Sequence, residues 1–171
     1  LTTRDIQDYD ELMRGRLRIL AREHLTLSMI QKVIASLGLL DGAKDFVDKL
    51  RDEAQVIILT DTFQEFAYPL IKMMGLPTIF CHNLTVENDH ITSYHLRIQD
   101  QKRATVRALH SLNFKVFASG DSFNDTGMLL EADQGAFFRA PANVTAQFPQ
   151  FPTTQNYDEL LRVFHEFQAK L

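Results

Sequence analysis

The residues of this sequence that are best suited to chemistry form a short acidic segment, Ser119-Gly120-Asp121-Ser122-Phe123-Asn124-Asp125. It directly follows a run of apolar residues that predicts a buried strand at 114–119. Carboxylate oxygens at a strand end are hard ligands of the kind that Mg²⁺ prefers. The alternative is an ordinary turn, because Asp and Asn are common in turns. The strand context and the spacing favour the Mg²⁺ site, and we expect Gly120 to let the backbone turn sharply there.

A hydroxyl and a second carboxylate lie at the end of another apolar run. Thr60 ends the run at 55–60, and Asp61 follows it. A continuous run rich in β-branched residues is typical of a parallel strand buried on both faces. A hydroxyl at such an end, where a helix begins, can bind an anion together with the helix-terminal N–H groups. The alternative is that Thr60 or Asp61 only caps the following helix.

Two basic side chains stand out by their positions. Lys102 opens a predicted helix next to Arg103, although a cation at a helix N-terminus opposes the helix dipole. A lysine there is able to hold a phosphate oxygen, and the alternative is a solvated side chain. Arg16 lies near the apolar stripe of the predicted first helix. A partly buried arginine needs an anion, which is either a protein carboxylate or a substrate carboxylate.

Alternating strands and helices are predicted to position these residues. Hydrophobic spacing predicts a helical segment over about residues 8–40, with Ser28 as the cap of its second helix. Further helices are predicted at 43–51, 63–75, 102–112, 126–132 and 157–171, and strands at 55–60, 114–119 and 135–138. Residues 78–86 and 91–98 indicate a β-hairpin with its turn at 87–90. This order predicts an α/β fold with a doubly wound, Rossmann-like parallel sheet, which binds ligands beyond the carboxyl ends of its strands.

Composition narrows the class of protein. The chain has 171 residues and a net charge of −4 without a long basic block, which argues against nucleic acid as a partner. No apolar stretch reaches the length of a membrane-spanning helix, which argues against a membrane partner. Cys81 is the only cysteine, which excludes a disulfide framework and suits a reducing cytoplasm. Because Cys81 lies in an apolar run, we predict a buried structural thiol.

The candidate residues occur in the order of motifs two, three and four of the haloacid dehalogenase superfamily, which the chain resembles. The pattern is a hydroxyl residue after one strand, then a lysine, then Gly-Asp-Ser-x-Asn-Asp after another strand. The chain is also similar, at five stretches, to the subgroup of phosphoserine phosphatases and phosphoserine:homoserine phosphotransferases: 8–13, 16–20, 59–63, 120–125 and 148–152. The resemblance implies a helical cap at residues 1–40 and a haloacid-dehalogenase-like core at 41–171 that lacks its first strand.

The resemblance implies roles for the residues that would contact a substrate. Lys102 and Thr60 match the catalytic side chains that bind and neutralise the phosphoryl group, although the subgroup usually has Ser in place of Thr60. Asp61 belongs with Thr60 to the implied substrate-binding set. Asn124 matches a residue that reaches the phosphate, and Arg16 matches a cap arginine that pairs with the substrate's carboxylate.

The resemblance also implies a metal and a reaction. Asp121 matches the aspartate that binds Mg²⁺, and Asp125 matches a carboxylate that supports the metal site. The implied activity is Mg²⁺-dependent hydrolysis of phosphoserine in serine biosynthesis, with homoserine as a possible phosphate acceptor. The resemblance leaves open whether the chain forms a homodimer.

One motif of the family is missing from the chain. The family's first motif is Asp-x-(Asp or Glu)-Gly at the end of a central strand, and it supplies the nucleophile. The acidic residues near the start are Asp5, Asp8 and Asp10, and no apolar strand precedes them. We therefore expect an N-terminally truncated and inactive form of a longer enzyme. The alternatives are a phosphatase of another small phosphomonoester and a non-catalytic phosphate-binding protein.

Overall fold

The computed structural model describes residues 8–171, and Asp5 lies outside them. The chain divides into two compact units. The first contains residues up to Lys44 together with Val56–Arg97, and the second contains Asp45–Gln55 together with Ile98–Leu171. Parallel strands pair in both units, so the predicted α/β fold class is confirmed. The division into a cap at 1–40 and a core at 41–171 stays a prediction.

All of the predicted helices and strands are present among the described residues. The helices are α1 (Tyr9–Arg22), α2 (Leu27–Leu37), α3 (Ala43–Glu53), α4 (Gln64–Met73), α5 (Gln101–Ser111), α6 (Thr126–Glu131), α7 (Ala142–Thr145) and α8 (Tyr157–Gln168). The strands are β1 (Ile57–Phe63), β2 (Thr78–Glu87), β3 (His90–His95), β4 (Phe117–Gly120), β5 (Gln134–Phe138) and β6 (Thr153–Thr154). A 3₁₀ turn, Phe123–Asp125, precedes α6. The sequence did not predict α7 and β6, because elements of four and two residues are too short to show a period.

Side-chain caps begin both helices of the N-terminal helical segment. Asp8 caps α1 by accepting a hydrogen bond from the Glu11 backbone N–H at 2.8 Å. The prediction that Ser28 caps α2 is wrong, since Thr26 caps it. The backbone N–H and the hydroxyl of Ser28 donate instead to Oδ1 of Asp89, at 3.0 and 2.9 Å. This contact ties the start of α2 to the turn between β2 and β3.

The sheet of the first unit has the order β1-β2-β3. β1 is parallel to β2, and β2 forms the predicted antiparallel hairpin with β3. The hairpin turns at Asn88 and Asp89, whose φ angles of 49° and 67° are tolerated by these residue types. The sequence indicates the hairpin but not its membership in the parallel sheet, because the same ten-residue strand serves both pairings.

The core of the first unit lies between α1 and this sheet. Its buried side chains are Met13, Phe63, Leu84 and Ile91. The prediction that the first strand is buried on both faces is wrong for β1, whose residues 57–60 are only half-buried. Among the described strands, only β2 pairs with β1, so its other edge is not covered by a strand.

The sheet of the second unit is parallel and has the order β4-β5-β6. Phe137 of β5 is completely buried, and its ring centroid lies 5.6 Å from that of Phe151. Helix α8 buries Leu160, Phe164 and Phe167, as its apolar spacing predicts. Phe164 and Phe167 pack against Phe117, the first residue of β4, with ring centroids 5.6 and 6.0 Å away.

Strand β4 begins three residues later than its apolar run predicts. Phe114 is 53% exposed and lies before the strand. The backbone N–H of Val116 donates to Oδ2 of Asp133 at 2.9 Å. A side chain therefore accepts the hydrogen bond that a carbonyl of a neighbouring strand would otherwise accept. Regular pairing with β5 therefore starts only at Phe117.

Gly135 in β5 has no room for a side chain. A Cβ atom there would lie 2.8 Å from Cε1 of Phe151 and 2.9 Å from the Leu129 carbonyl oxygen. We expect Gly135→Ala to lower the free energy of unfolding by about 1–3 kcal/mol, because overpacking forces neighbours to move. Gly127→Ala in α6 is the matched control, since its nearest neighbours would lie at 3.7 Å or beyond, and alanine favours a helix. Urea denaturation measures both, and a Gly135→Ala protein as stable as the control would contradict this packing.

Candidate active site

The carboxylate of Asp125 is the centre of a buried network in the second unit. Asp125 is 6% exposed and ends the 3₁₀ turn that follows β4. Its Oδ1 accepts a hydrogen bond from Nζ of Lys102 at 2.8 Å. Its Oδ2 accepts from the backbone N–H groups of Asp121 and Ser122 and from the Ser122 hydroxyl, at 2.9, 3.0 and 3.0 Å. Both oxygens are thus engaged, and the segment 121–125 is fixed around them.

Lys102 and Asp125 form a charged pair that is shielded from solvent. Burial acts to raise the pKa of Asp125, but the hydrogen bond and charge of Lys102, with the donors of Asp121 and Ser122, outweigh it and hold the pKa below its ordinary value. The Lys102 side chain is 12% exposed and extends from the first turn of α5. A shielded pair is screened far less than a surface pair. The ammonium group that the sequence indicated is therefore held near the end of β4.

Gly120 is required for space and not for backbone freedom, which corrects the sequence-based expectation. Its φ angle is not in the left-handed region. A Cβ atom on Gly120 would lie 2.3 Å from Cβ and 2.7 Å from Oδ2 of Asp125. Any side chain at residue 120 would therefore displace the carboxylate that holds Lys102.

Asp121 and Asn124 are exposed, in contrast to Asp125. Within residues 8–171, no three His, Cys, Asp or Glu side chains form a ready-made metal site. Mg²⁺ is often held by only one or two carboxylates, with waters and substrate phosphates completing its shell. The exposed oxygens of Asp121 are suited to be the carboxylate ligands of such an ion. The oxygens of Asp125 already accept the hydrogen bonds described above, which suits a supporting carboxylate.

In the first unit, Thr60 and Asp61 lie in an irregular stretch of β1. The pairing with β2 is regular up to Leu59 and resumes at Phe63, so residues 60–62 stand against a single residue of β2. Such extra residues leave the ladder and change the direction of their side chains. The strand therefore runs three residues past the predicted end at Thr60.

Neither Thr60 nor Asp61 caps the helix that follows. The N-cap of α4 is Phe63, which makes no side-chain cap hydrogen bond. The Thr60 hydroxyl accepts a hydrogen bond from the Thr62 backbone N–H at 3.3 Å, within the irregular stretch. The capping alternative is therefore wrong, and both residues lie at the carboxyl end of a parallel strand, where such sheets bind ligands.

Arg16 and Asp61 share one electrostatic environment in the first unit. Arg16 is half-buried, and its Nη1 lies 3.9 Å from Sδ of Met13. Burial raises the pKa of Tyr9, the charge of Arg16 lowers it, and the charge of Asp61 raises it. Arg16 and Asp61 thus act on the Tyr9 hydroxyl in opposite directions, as expected for opposite charges.

The structure groups the predicted site residues by unit. The second unit contains Lys102, Asp121, Asn124 and Asp125, and the first contains Arg16, Thr60 and Asp61. The sequence reasoning missed Ser122, although Ser-x-x-Asp is the pattern of a capping box and the structure forms one.

Comparison with known proteins gives the family. Residues 4–133 match the family model described as haloacid dehalogenase-like hydrolase. The chain belongs to this family. Over 164 residues it is 54% identical to a protein of Pseudomonas syringae pv. tomato named phosphoserine phosphatase, covering 95% of this chain and 69% of that protein. It is 52% identical to phosphoserine phosphatase ThrH of Pseudomonas aeruginosa, with 95% and 80% covered, which confirms the resemblance to that subgroup.

Solved structures support the family's fold. A phosphoserine phosphatase in its apo form has a TM-score of 0.74 at 17% identity, covering 94% of this chain and 83% of that one. A haloacid dehalogenase family hydrolase of Salmonella enterica has a TM-score of 0.69 at 19% identity, covering 88% and 53%. Among residues 8–171, no helix is long and apolar enough to cross a membrane.

Asp125→Asn tests the charged state of the buried pair. Because the pKa of Asp125 is lower in the folded protein than its ordinary value of about 4, the pair stabilises the fold at neutral pH and loses this effect as the pH falls below about 4. The difference in unfolding free energy between the unsubstituted protein and Asp125→Asn should therefore shrink from about pH 7 to about pH 3. Urea denaturation across this range measures it, and a difference that is constant with pH would contradict a charged Asp125.

Proposed function

We propose that this chain provides most of the active site of a Mg²⁺-dependent phosphoserine phosphatase. The observation that carries the proposal is the shielded ammonium group of Lys102, fixed by Asp125 near the carboxyl end of β4 and followed by the exposed carboxylate of Asp121. Phosphoryl transfer needs cationic groups that are already in place when negative charge develops. The names of the two Pseudomonas relatives support phosphoserine as the substrate.

In the proposed reaction, each side chain acts on one part of the substrate. In the second unit, Lys102 binds phosphate oxygens and stabilises the transition state, and Asn124 reaches the phosphate. In the first unit, Thr60 offers a hydroxyl of the kind that binds a phosphate oxygen. Asp121 would hold Mg²⁺. The metal, when bound, adds positive charge at the phosphate oxygens. Arg16 pairs with the carboxylate of phosphoserine and orients it.

The attacking aspartate is proposed to lie outside residues 1–171, since they contain no Asp-x-(Asp or Glu)-Gly motif. Among the described strands, β1 and β4 each have a strand partner on one edge only. A strand that carries the motif would find backbone groups to pair with on such an edge. We call residues 1–171 joined to a preceding segment with this motif the nucleophile-bearing form, and we expect residues 1–171 by themselves to lack turnover.

The proposed products are serine and inorganic phosphate, and we propose a role in serine biosynthesis. Homoserine is the proposed alternative acceptor of the phosphoryl group. We propose a cytoplasmic reaction, in keeping with the buried, reduced thiol of Cys81, whose pKa is raised by burial.

The nucleophile-bearing form should release phosphate from phosphoserine only when Mg²⁺ is present. We expect Asp121→Asn to lower kcat by about a hundredfold or more, because a neutral amide holds Mg²⁺ less well and the metal's positive charge at the phosphate is lost. Asp158→Asn, an exposed residue of α8, is the matched control and should keep full activity. A phosphate-release assay, repeated with homoserine to detect phosphohomoserine, measures both. Undiminished activity of Asp121→Asn would refute the role of this residue.

Arg16→Gln tests the substrate class. Losing a charged hydrogen-bond partner of the substrate carboxylate should raise KM for phosphoserine by roughly ten- to a hundredfold. The rate with p-nitrophenyl phosphate, which lacks a carboxylate, should stay the same. Arg18→Gln, an exposed neighbour on α1, is the matched control. Equal effects of Arg16→Gln on the two substrates would point to another phosphomonoester.

A further inference from the structure

The backbone N–H of Leu84 lies just beyond the point at which β2 loses its parallel partner. The last pair between β1 and β2 is Phe63 with His82, and Leu84 follows on β2. Leu84 is 8% exposed, and its backbone N–H donates to Oε2 of Glu65 at 3.0 Å. A buried backbone donor needs an acceptor, so the Glu65 side chain replaces the strand that has ended.

The start of α4, where Glu65 lies, is held by two further hydrogen bonds. Glu65 is half-buried in the first turn of the helix, and its carbonyl oxygen accepts from Nε2 of Gln31 in α2 at 2.7 Å. Oε1 of the neighbouring Gln64 accepts from Nδ2 of Asn83 in β2 at 3.1 Å. The first turn of α4 is therefore tied to α2 and to β2, and the Glu65 carboxylate provides the tie to the backbone of β2.

The irregular stretch before α4 contains more residues than the pairing of β1 with β2 uses. Four steps lead from Leu59 to Phe63, whereas their partners Phe80 and His82 are two steps apart. In an extended strand, four steps cover about 13 Å and two steps cover about 7 Å. The surplus therefore keeps residues 60–62 out of the ladder only while Phe63 stays opposite His82.

A regular ladder is the competing arrangement. If the pairing of Leu59 with Phe80 continued without a break, Phe63 would lie opposite Leu84. Because this register differs by two residues, the Phe63 side chain would keep its face of the sheet, and hydrophobic alternation does not exclude the slip. The burial of Phe63 opposes it. The Glu65 carboxylate opposes it at the backbone, because it already binds the N–H group beside which Phe63 would lie.

We propose that Glu65 is a positioning residue that locks β1 in its irregular register and so keeps Thr60 and Asp61 outside the ladder at the strand end. Residues outside the ladder direct their side chains differently from paired residues. The direction of the Thr60 hydroxyl therefore depends on a hydrogen bond that is made from the next helix. The effect on catalysis rests on the proposed function, whereas the register can be tested without turnover.

NMR of residues 1–171 tests the register directly. We expect nuclear Overhauser effects between the backbone protons of Phe63 and those of His82, together with slow exchange of the Leu84 N–H. Glu65→Gln should keep both, since its amide oxygen still accepts the hydrogen bond. Glu65→Leu should make the Leu84 N–H exchange faster and move the Overhauser effects of Phe63 from His82 to Leu84. A pairing of Phe63 with His82 that persists in Glu65→Leu would overturn the proposal.

Kinetics of the nucleophile-bearing form test the consequence for the site. Glu65→Gln should keep kcat for phosphoserine within about threefold, because the acceptor is retained. Glu65→Leu should lower kcat by about ten- to a hundredfold, as is usual when a residue that orients a site is lost. Thr26→Ala is the matched control, since it removes the cap of α2 in the same unit and lowers stability but should keep kcat.

The two Glu65 variants and the control separate positioning from stability. Equal kcat values for Glu65→Gln and Glu65→Leu would overturn the proposal. A loss of kcat in Thr26→Ala as large as that in Glu65→Leu would assign the effect to stability and contradict a positioning role. If phosphoserine is not hydrolysed while the NMR result is as expected, the proposed function has failed but the locked register has not.

Discussion

The burial of the Asp125 carboxylate imposes the strictest condition on the second unit. Removing a carboxylate from water costs several kcal/mol unless donors replace the lost hydration. Lys102, two backbone N–H groups and the Ser122 hydroxyl provide this replacement. Because these donors come from both α5 and the turn after β4, the carboxylate determines where α5 begins relative to that turn. It also determines residue 120, because only glycine leaves it enough space.

The first unit solves a related problem with its backbone. Residues 60–62 leave the regular ladder of β1, so three residues stand against one residue of β2. The stretch is bounded by Phe63, whose side chain belongs to the buried core and therefore cannot slip along the strand. Because Phe63 is fixed in the core directly after the irregular stretch, the chain keeps three polar residues at a strand end while α4 still begins at a defined position.

Much of this architecture was accessible from the sequence, for identifiable reasons. Long apolar periods defined α1, α5 and α8, and the order of polar motifs defined the family. Predictions failed where a side chain replaced a backbone partner. Asp133 accepts a hydrogen bond from the Val116 backbone, and β4 begins only after that residue. Asp89 accepts the hydrogen bonds of Ser28, and Thr26 caps α2 instead. Contacts between residues so far apart in sequence leave no local pattern.

The candidate site shows the same limit. Single residues such as Lys102 and Asp121 were recognisable because motif order is a property of the sequence. The reason for Gly120 was not, since the crowding by Asp125 appears only when the 3₁₀ turn is formed.

The bond between Asp89 and the start of α2 has a consequence for how the family can vary. Exposed turns normally accept inserted residues, since little depends on their length. Here an extra residue would carry the Asp89 carboxylate away from Ser28 and separate the helix from the hairpin. Homologous chains should therefore differ in length at other surface loops and preserve the number of residues in this turn.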